Sequence, residues 1–97
     1  MTGPRVSVIV PAHNAGATLG QCLASLSAQT SDQLEIIVID DGSTDDTAQI
    51  AENAAATSRV PIRLVSRPHG GRAAARNNGL AEARRAIPRM QRLGTRL

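Results

Sequence analysis

Apolar residues fall into three short β-branched runs, each followed by a polar turn and then a stretch with helical spacing. The first run, Val6-Ser7-Val8-Ile9-Val10, meets Pro11, whose missing N–H predicts a hard stop. Ala12-His13-Asn14-Ala15-Gly16 reads as a small, polar turn. Leu19, Leu23 and Leu26 then recur at i, i+4 and i+7, with Cys22 on the same flank, which predicts a helix over 16–29 that Thr30-Ser31-Asp32 breaks. Leu34 to Ile39 is the second strand, with Glu35 near its start, and it runs directly into Asp40-Asp41-Gly42-Ser43. An Ala-rich helix over about 45–57 follows, with Ile50 as its large apolar anchor. Ser43 or Thr44 is placed to cap it, and Asp45 and Asp46 suit its positive start. Val60 to Val65, interrupted by Pro61 and Arg63, reads as a third strand near a sheet edge. Arg67 to Gly71 is a loop, and Arg72 to about Ile87 is helical by composition.

Strands alternating with helices at this spacing predict an α/β fold: a three-layer, Rossmann-like half-domain of three βα units around a short parallel sheet. In open parallel sheets, ligands sit beyond the carboxyl ends of the strands. Those ends carry Pro11 to Asn14, Asp40 to Ser43 and Pro68 to Gly71, so three polar turns are expected to converge on one edge.

Composition narrows the chemistry. Ninety-seven residues suit one small domain, and the absence of Phe, Tyr and Trp leaves its core to Val, Ile, Leu and Ala. It also removes the stacking platforms of single-strand nucleic-acid binders. All eleven basic residues are Arg. Without Lys, a Walker-type phosphate loop is excluded, and a receiver-like signalling domain is disfavoured. The net charge of +3 is uneven: residues 1–83 carry six Arg and eight acids, whereas residues 84–97 carry five Arg and no acid. The basic surplus belongs to the tail, which argues against a nucleic-acid-binding domain. The apolar run Val8 to Ala12 is far too short for a signal core or an integral membrane segment. Lone Cys22 cannot form an intramolecular disulfide and reads as a small core residue. A cytoplasmic setting is expected, with peripheral attachment at the inner membrane face as the variant a basic tail allows.

Three ordered motifs carry a more specific resemblance. Val6-Ser7-Val8-Ile9-Val10-Pro11-Ala12-His13-Asn14 is similar to the opening strand and turn of family 2 glycosyltransferases. Glu35-Ile36-Ile37-Val38-Ile39-Asp40-Asp41-Gly42-Ser43-Thr44-Asp45 resembles that family's second strand and its D-D-G-S-x-D turn, and Gly70-Gly71-Arg72-Ala73-Ala74-Ala75-Arg76-Asn77-Asn78-Gly79 resembles its G-G-x-x-x-A-R-N-x-G segment. A single D-D-G-S is weak; three matches in order across residues 6 to about 84 are specific. The resemblance implies the GT-A type of fold and a nucleotide-diphosphate sugar, most simply a UDP-sugar, as donor in glycan, cell-wall or surface polysaccharide synthesis. It places Asp41, with Asp40 beside it, on the base or ribose, Pro11 and Ala12 along the base, and Arg76 toward the nucleotide edge or phosphates. Asn14 steadies the first turn, and Gly42 and Ser43 keep the second one tight. The family commonly has Tyr where this chain has His13, which offers a smaller stacking face and a titratable ring.

The resemblance stops after Arg84. The family continues into an apolar strand ending in an Asp-x-Asp motif that holds a divalent metal (Mg or Mn), but this chain has no acid after Glu82. The expectation is therefore a truncated or frameshifted nucleotide-binding half, residues 1–84, without catalytic or metal residues and without turnover of its own. Residues 85–97 are expected to form an Arg-rich helical tail. Leading into it and along it, Leu80, Ala83, Ile87, Met90, Leu93 and Leu97 step by three or four on one side and Arg85, Arg89, Arg92 and Arg96 on another, with Pro88 interrupting. The alternative function is a non-catalytic interaction fragment whose tail binds acidic surfaces. Plainer readings stand beside the sharp ones: Asp40 and Asp41 as helix caps, Asp45 and Asp46 as first-turn charges, His13 and His69 as solvated loop residues, Gly70 and Gly71 as turn formers. Exposed edges of a three-stranded sheet also invite self-association.

Overall fold

The structure is a computed structural model describing residues 6–28, 34–86 and 91–94, and the expected break at Thr30-Ser31-Asp32 lies outside them. The chain runs β1 (Val6–Ala12), α1 (Leu19–Ser27), β2 (Leu34–Asp41), α2 (Thr47–Thr57), β3 (Ile62–Arg67), α3 (Arg72–Ala86) and β4 (Gln91–Gly94). All pairings are parallel, in the order β3-β2-β1-β4. The three βα units form as the alternation requires, with β3 at the edge.

Period-two alternation sorts the core into two layers. Val8, Val10, Ile36 and Val38 face α1 and α2, packing with Leu19, Leu23 and Ala51, while Ile9, Ile37 and Ile39 face α3 and pack with Ala75 and Ala83. All eight residues of β2 are buried because strands flank it on both sides and helices cover both faces. Each fully buried Val or Ile contributes roughly 1.5–3 kcal/mol. In α2 the deeply buried positions are Thr47 and Ala51, whereas Ile50 is only partly buried. Small residues let the helices lie close to an aromatic-free sheet.

Two expectations are corrected. Strand β1 does not stop at Pro11 but pairs through Pro11↔Ile39 and Ala12↔Asp40. On its other side the ladder ends at Ile9↔Gly94, so Pro11 lies where β1 has one described neighbour, the place a residue without N–H is tolerated. The helical tail is the second correction: α3 reaches only Ala86, and Gln91–Gly94 form β4 against Val6–Ile9. Pro88 cannot continue a helix, while the free edge of β1 offers a row of unpaired N–H and C=O groups that a short extended segment satisfies. The remaining tail residues, 87–90 and 95–97, lie outside the described ones.

Helix boundaries shift for a similar reason. Instead of starting at 16, α1 starts at Leu19, because Ala15 to Thr18 form a turn in which Thr18 N and Leu19 N donate to Ala15 O (3.0 and 2.8 Å). Neither Ser43 nor Thr44 caps α2; its N-cap position is Asp46, which makes no side-chain cap bond. Asp45 accepts from Thr47 N (3.0 Å) and from the Thr47 hydroxyl.

At the N-terminal ends of the strands, a polar patch crosses the α3 face of the sheet. The Ser7 hydroxyl donates to buried Glu35 Oε2 (2.8 Å), Arg63 Nε lies 3.4 Å from Glu35 Oε1, and Arg63 Nη1 lies 3.7 Å from Glu82 Oε1. Position 35 alternates into the core, so its charge is tolerated only with these partners.

Gly79 in α3 is where helix and sheet come nearest: a Cβ there would lie 2.3 Å from Ile9 Cγ2. Gly79→Val is expected to lower stability by about 1–3 kcal/mol through overpacking, despite Val's better helix propensity. Chemical denaturation of the purified chain measures this; unchanged stability would mean that α3 packs farther from β1.

Candidate functional site

The C-terminal ends of β1, β2 and β3 lie side by side, and the turns that follow them are tied together by short bonds. Asn14, with φ of 50°, is the link between the first two. Its N–H donates to Ser43 Oγ (2.9 Å), and its Oδ1 accepts from Thr44 N (2.8 Å) and the Thr44 hydroxyl (3.3 Å). Ala15 N donates to Thr47 Oγ1 (2.9 Å) and Gly16 N to Asp45 Oδ2 (3.0 Å). These bonds fasten the turn after β1 to the start of α2. The Thr47 hydroxyl and the amide groups of Gly16 and Thr47 hold the Asp45 carboxyl below the ordinary range against the opposing effect of desolvation. Asp40 is consumed locally, its Oδ1 accepting Ser43 N (3.0 Å).

Asp41 fastens the third segment. Its side chain, 3% exposed, accepts Gly70 N on Oδ1 (2.9 Å) and Gly71 N on Oδ2 (2.8 Å). Arg67 Nε lies 3.2 Å from Oδ1, and His69 Nδ1 lies 3.0 Å from Oδ2. A carboxylate has about four lone-pair positions, and four donors meet them here. Burial pushes the Asp41 carboxyl upward, but the Gly70 and Gly71 amides, with His69 and Arg67, outweigh it and hold it below the usual range. Arg67 also donates from Nη1 to Ala74 O (2.9 Å), so the same guanidinium reaches the first turn of α3. Gly42, at φ 69°, permits the packing: a Cβ there would lie 2.6 Å from His69 N.

Two imidazoles meet over this clamp. The rings of His13 and His69 stack with centroids 4.2 Å apart and planes 27° apart. His13 Nδ1 lies 2.8 Å and His69 Nδ1 3.2 Å from the Asp41 backbone oxygen. That oxygen can only accept, so Nδ1 carries the proton in both rings. Beside them opens a cavity of about 250 Å³ lined by Pro11, Ala12, His13, Asp41, His69, Arg72 and Ala75. A wider groove of about 580 Å³ lies between α1 and α2, away from the strand ends, with Arg59 as the charged residue in its lining.

Of the residues singled out from sequence, Pro11, Ala12, His13 and Asp41 line the cavity. Asn14, Asp40, Gly42 and Ser43 shape its turns without lining it. Arg76 is exposed and does not line it; the cavity arginine is Arg72, the first residue of α3. Helical rise accounts for the difference, because four residues carry Arg76 about 6 Å farther along the axis. Sequence reasoning also missed His69, Arg72 and Arg67. The first turn of a helix that follows a sheet edge was the available signal for Arg72.

The clamp has measurable consequences. A lowered carboxyl value stabilises the fold fully above the unfolded-state value of about 3.9, and this stabilisation disappears as pH falls through the folded-state value. Asp41→Asn is expected to cost about 2–3 kcal/mol at neutral pH. It should also flatten the stability profile below about pH 5; an acid profile parallel to that of the parent chain would contradict the clamp. Gly42→Ala, forced to a positive φ and into the His69 backbone, is expected to expose the Gly70 and Gly71 amides to hydrogen exchange without melting β1 or β2.

Comparisons with known proteins agree with this fold. Glycosyl transferase family 2 matches residues 7–87. An uncharacterized glycosyltransferase, EpsJ of Bacillus subtilis, is 40% identical over 81 residues, which are 84% of this chain and 23% of EpsJ. Chondroitin synthase of Pasteurella multocida is 35% identical over 84% of this chain and 8% of the synthase. Among solved structures, the mannosyltransferase PcManGT of Pyrobaculum calidifontis, in complex with GDP-Man and Mn2+, superposes with a TM-score of 0.76 at 33% identity, over 86% of this chain and 25% of that one. TarS 1–349 of S. aureus in complex with UDP-GlcNAc gives 0.80 at 29% identity, over 95% and 26%. The chain thus spans about a quarter of the length of EpsJ and of these two structures. With the family matched across residues 7–87, the α/β fold of GT-A glycosyltransferases and a cavity at the strand ends, this chain belongs to glycosyltransferase family 2.

Proposed function

We propose that this chain is the nucleotide-recognising front of a glycosyltransferase that uses a UDP-sugar to extend a glycan, cell-wall or surface polysaccharide. The carrying observation is the convergence of three turns on one cavity with a cation at its rim. Pro11 and Ala12 offer an apolar wall for a base, His13 an aromatic face, and Arg72 a forked donor for phosphate oxygens. The TarS structure in complex with UDP-GlcNAc supports a uridine donor, and the PcManGT complex shows that a guanosine donor also occurs on this fold. Asp41 would accept the ring N–H, and since its carboxylate is already saturated, His69 (side chain 58% exposed) is the partner that would yield.

Acids at the end of β2 and in the turn after it are not free to hold the divalent metal that the resemblance implies. Asp40, Asp41 and Asp45 are committed to Ser43, to the Gly70–Gly71 amides, and to Gly16 and Thr47 respectively. Mg or Mn wants an oxygen-rich shell, and no Asp-x-Asp pair occurs in this sequence. The described residues do not fit that metal. No described helix is long and apolar enough to cross a membrane; the cytoplasmic setting is part of this proposal. The rival reading of a fragment binding acidic surfaces loses its premise, since Gln91–Gly94 extend the sheet instead of a basic helix.

Titration of the 97-residue chain with UDP is expected to show weak, saturable binding. Arg72→Ala should weaken it about tenfold, as loss of a charge-assisted pair does. Arg76→Ala should leave it unchanged, and the chain alone should transfer no sugar. Indifference to both UDP and GDP would overturn the proposal, and measurable transfer by this chain would overturn its incompleteness.

A further inference from the structure

We propose that His13, Asp41 and His69 form a site for one divalent transition-metal ion of the zinc class. The three residues come from separate segments: the turn after β1, the end of β2 and the loop before α3. One ligand atom from each lies within 4.8 Å of the others, the one such group among the described residues. The stacked rings point the same way, so their Nδ1 atoms converge over Asp41, at 2.8 and 3.2 Å from its backbone oxygen. His69 Nδ1 stands 3.0 Å from Asp41 Oδ2. Two ligand atoms each about 2.1 Å from one tetrahedral ion stand roughly 3.4 Å apart, so this pair has to open by only a few tenths of an ångström to hold it.

The supporting framework is what distinguishes this group from a chance meeting of loop residues. The Asp41 carboxylate is oriented by Gly70 N and Arg67 on Oδ1 and by Gly71 N on Oδ2, so an ion would take the position on Oδ2 that His69 Nδ1 now fills as a donor. Gly42 lets the His69 backbone seat closely on the turn, and Asn14 beside His13 is tied to Ser43 and Thr44. Such outer partners orient ligands in established metal sites. Two imidazoles and one carboxylate favour Zn2+, Co2+ or Ni2+ over Mg2+ or Mn2+, and the adjoining cavity leaves room for water on the open positions. Binding requires Nδ1 of each ring to be free of its proton, with the ring N–H on Nε2, and involves no oxidation or reduction. Arg67 and Arg72 nearby oppose a further cation, so the affinity is expected to fall below that of a structural zinc site.

The test uses the metal alone, without nucleotide, so its failure is separate from failure of the nucleotide proposal. Co2+ titrated into the 97-residue chain should give visible d–d absorption that saturates at one ion per chain and is abolished by Zn2+ but not by excess Mg2+. His13→Ala and His69→Ala, both at exposed side chains, should each weaken binding at least tenfold while leaving the far-ultraviolet circular dichroism unchanged. Cys22→Ser should bind as the parent does. Absence of binding, parent-like affinity in either His variant, displacement by Mg2+, or loss in Cys22→Ser would each overturn the proposal.

Discussion

A buried carboxylate that must find donors organises this end of the molecule. Asp41 closes the central strand, 3% exposed, and the Gly70 and Gly71 amides with Arg67 supply what burial demands. Those two amides also stand just before α3, where N–H groups lack intrahelical partners. One interaction therefore resolves two needs, a charge without water and a helix start without acceptors. The price in conformational freedom falls on the glycines.

From that clamp the rest of the site follows. Holding residues 69–71 against β2 brings His69 onto His13, and placing α3 brings Arg72 to the cavity rim. On the other flank Asn14, in a left-handed conformation, couples the turn after β1 to Ser43 and Thr44. Three segments far apart in sequence are thereby made into one surface whose polar groups are largely satisfied by one another. The consequence for recognition is that Asp41 presents little spare capacity. A ligand approaching it must compete with groups already in place, of which the exposed imidazole of His69 is the least secured.

The sheet shows a comparable economy. Strand β2, shielded by strands and helices on both faces, carries before its terminal acids only one polar residue, the partnered Glu35, whereas β1 relies on the short β4 to cover part of its second edge. The family match ends at 87, near the end of α3, and the chain spans about a quarter of EpsJ. On the proposed reading, the three turns at the strand ends serve recognition of the donor nucleotide.

Alternating Val and Ile in β1 and β2, Leu at helical spacing in α1, and turn residues after each strand specify a parallel α/β arrangement locally, because period-two and period-3.6 burial can be read without knowing any partner. The motifs around Asp41 and Gly70-Gly71 identify the family for the same reason: they are contiguous. What lay beyond reach depends on neighbours distant in the chain. Pro11 stays within a strand because of where β4 stops, and Gln91–Gly94 become a strand because an edge of β1 was free, although their own spacing suggested a helix. Glu35 lies buried only because Ser7 and Arg63 arrive beside it, and Arg72 displaces Arg76 as the cavity cation through the axial placement of α3. Hydrophobic period is a property of a segment, whereas saturation of a hydrogen-bonding group is a property of everything packed around it. The chain alone therefore determined the layers and the edge that carries the site, and the tertiary structure decided which polar groups remain available there.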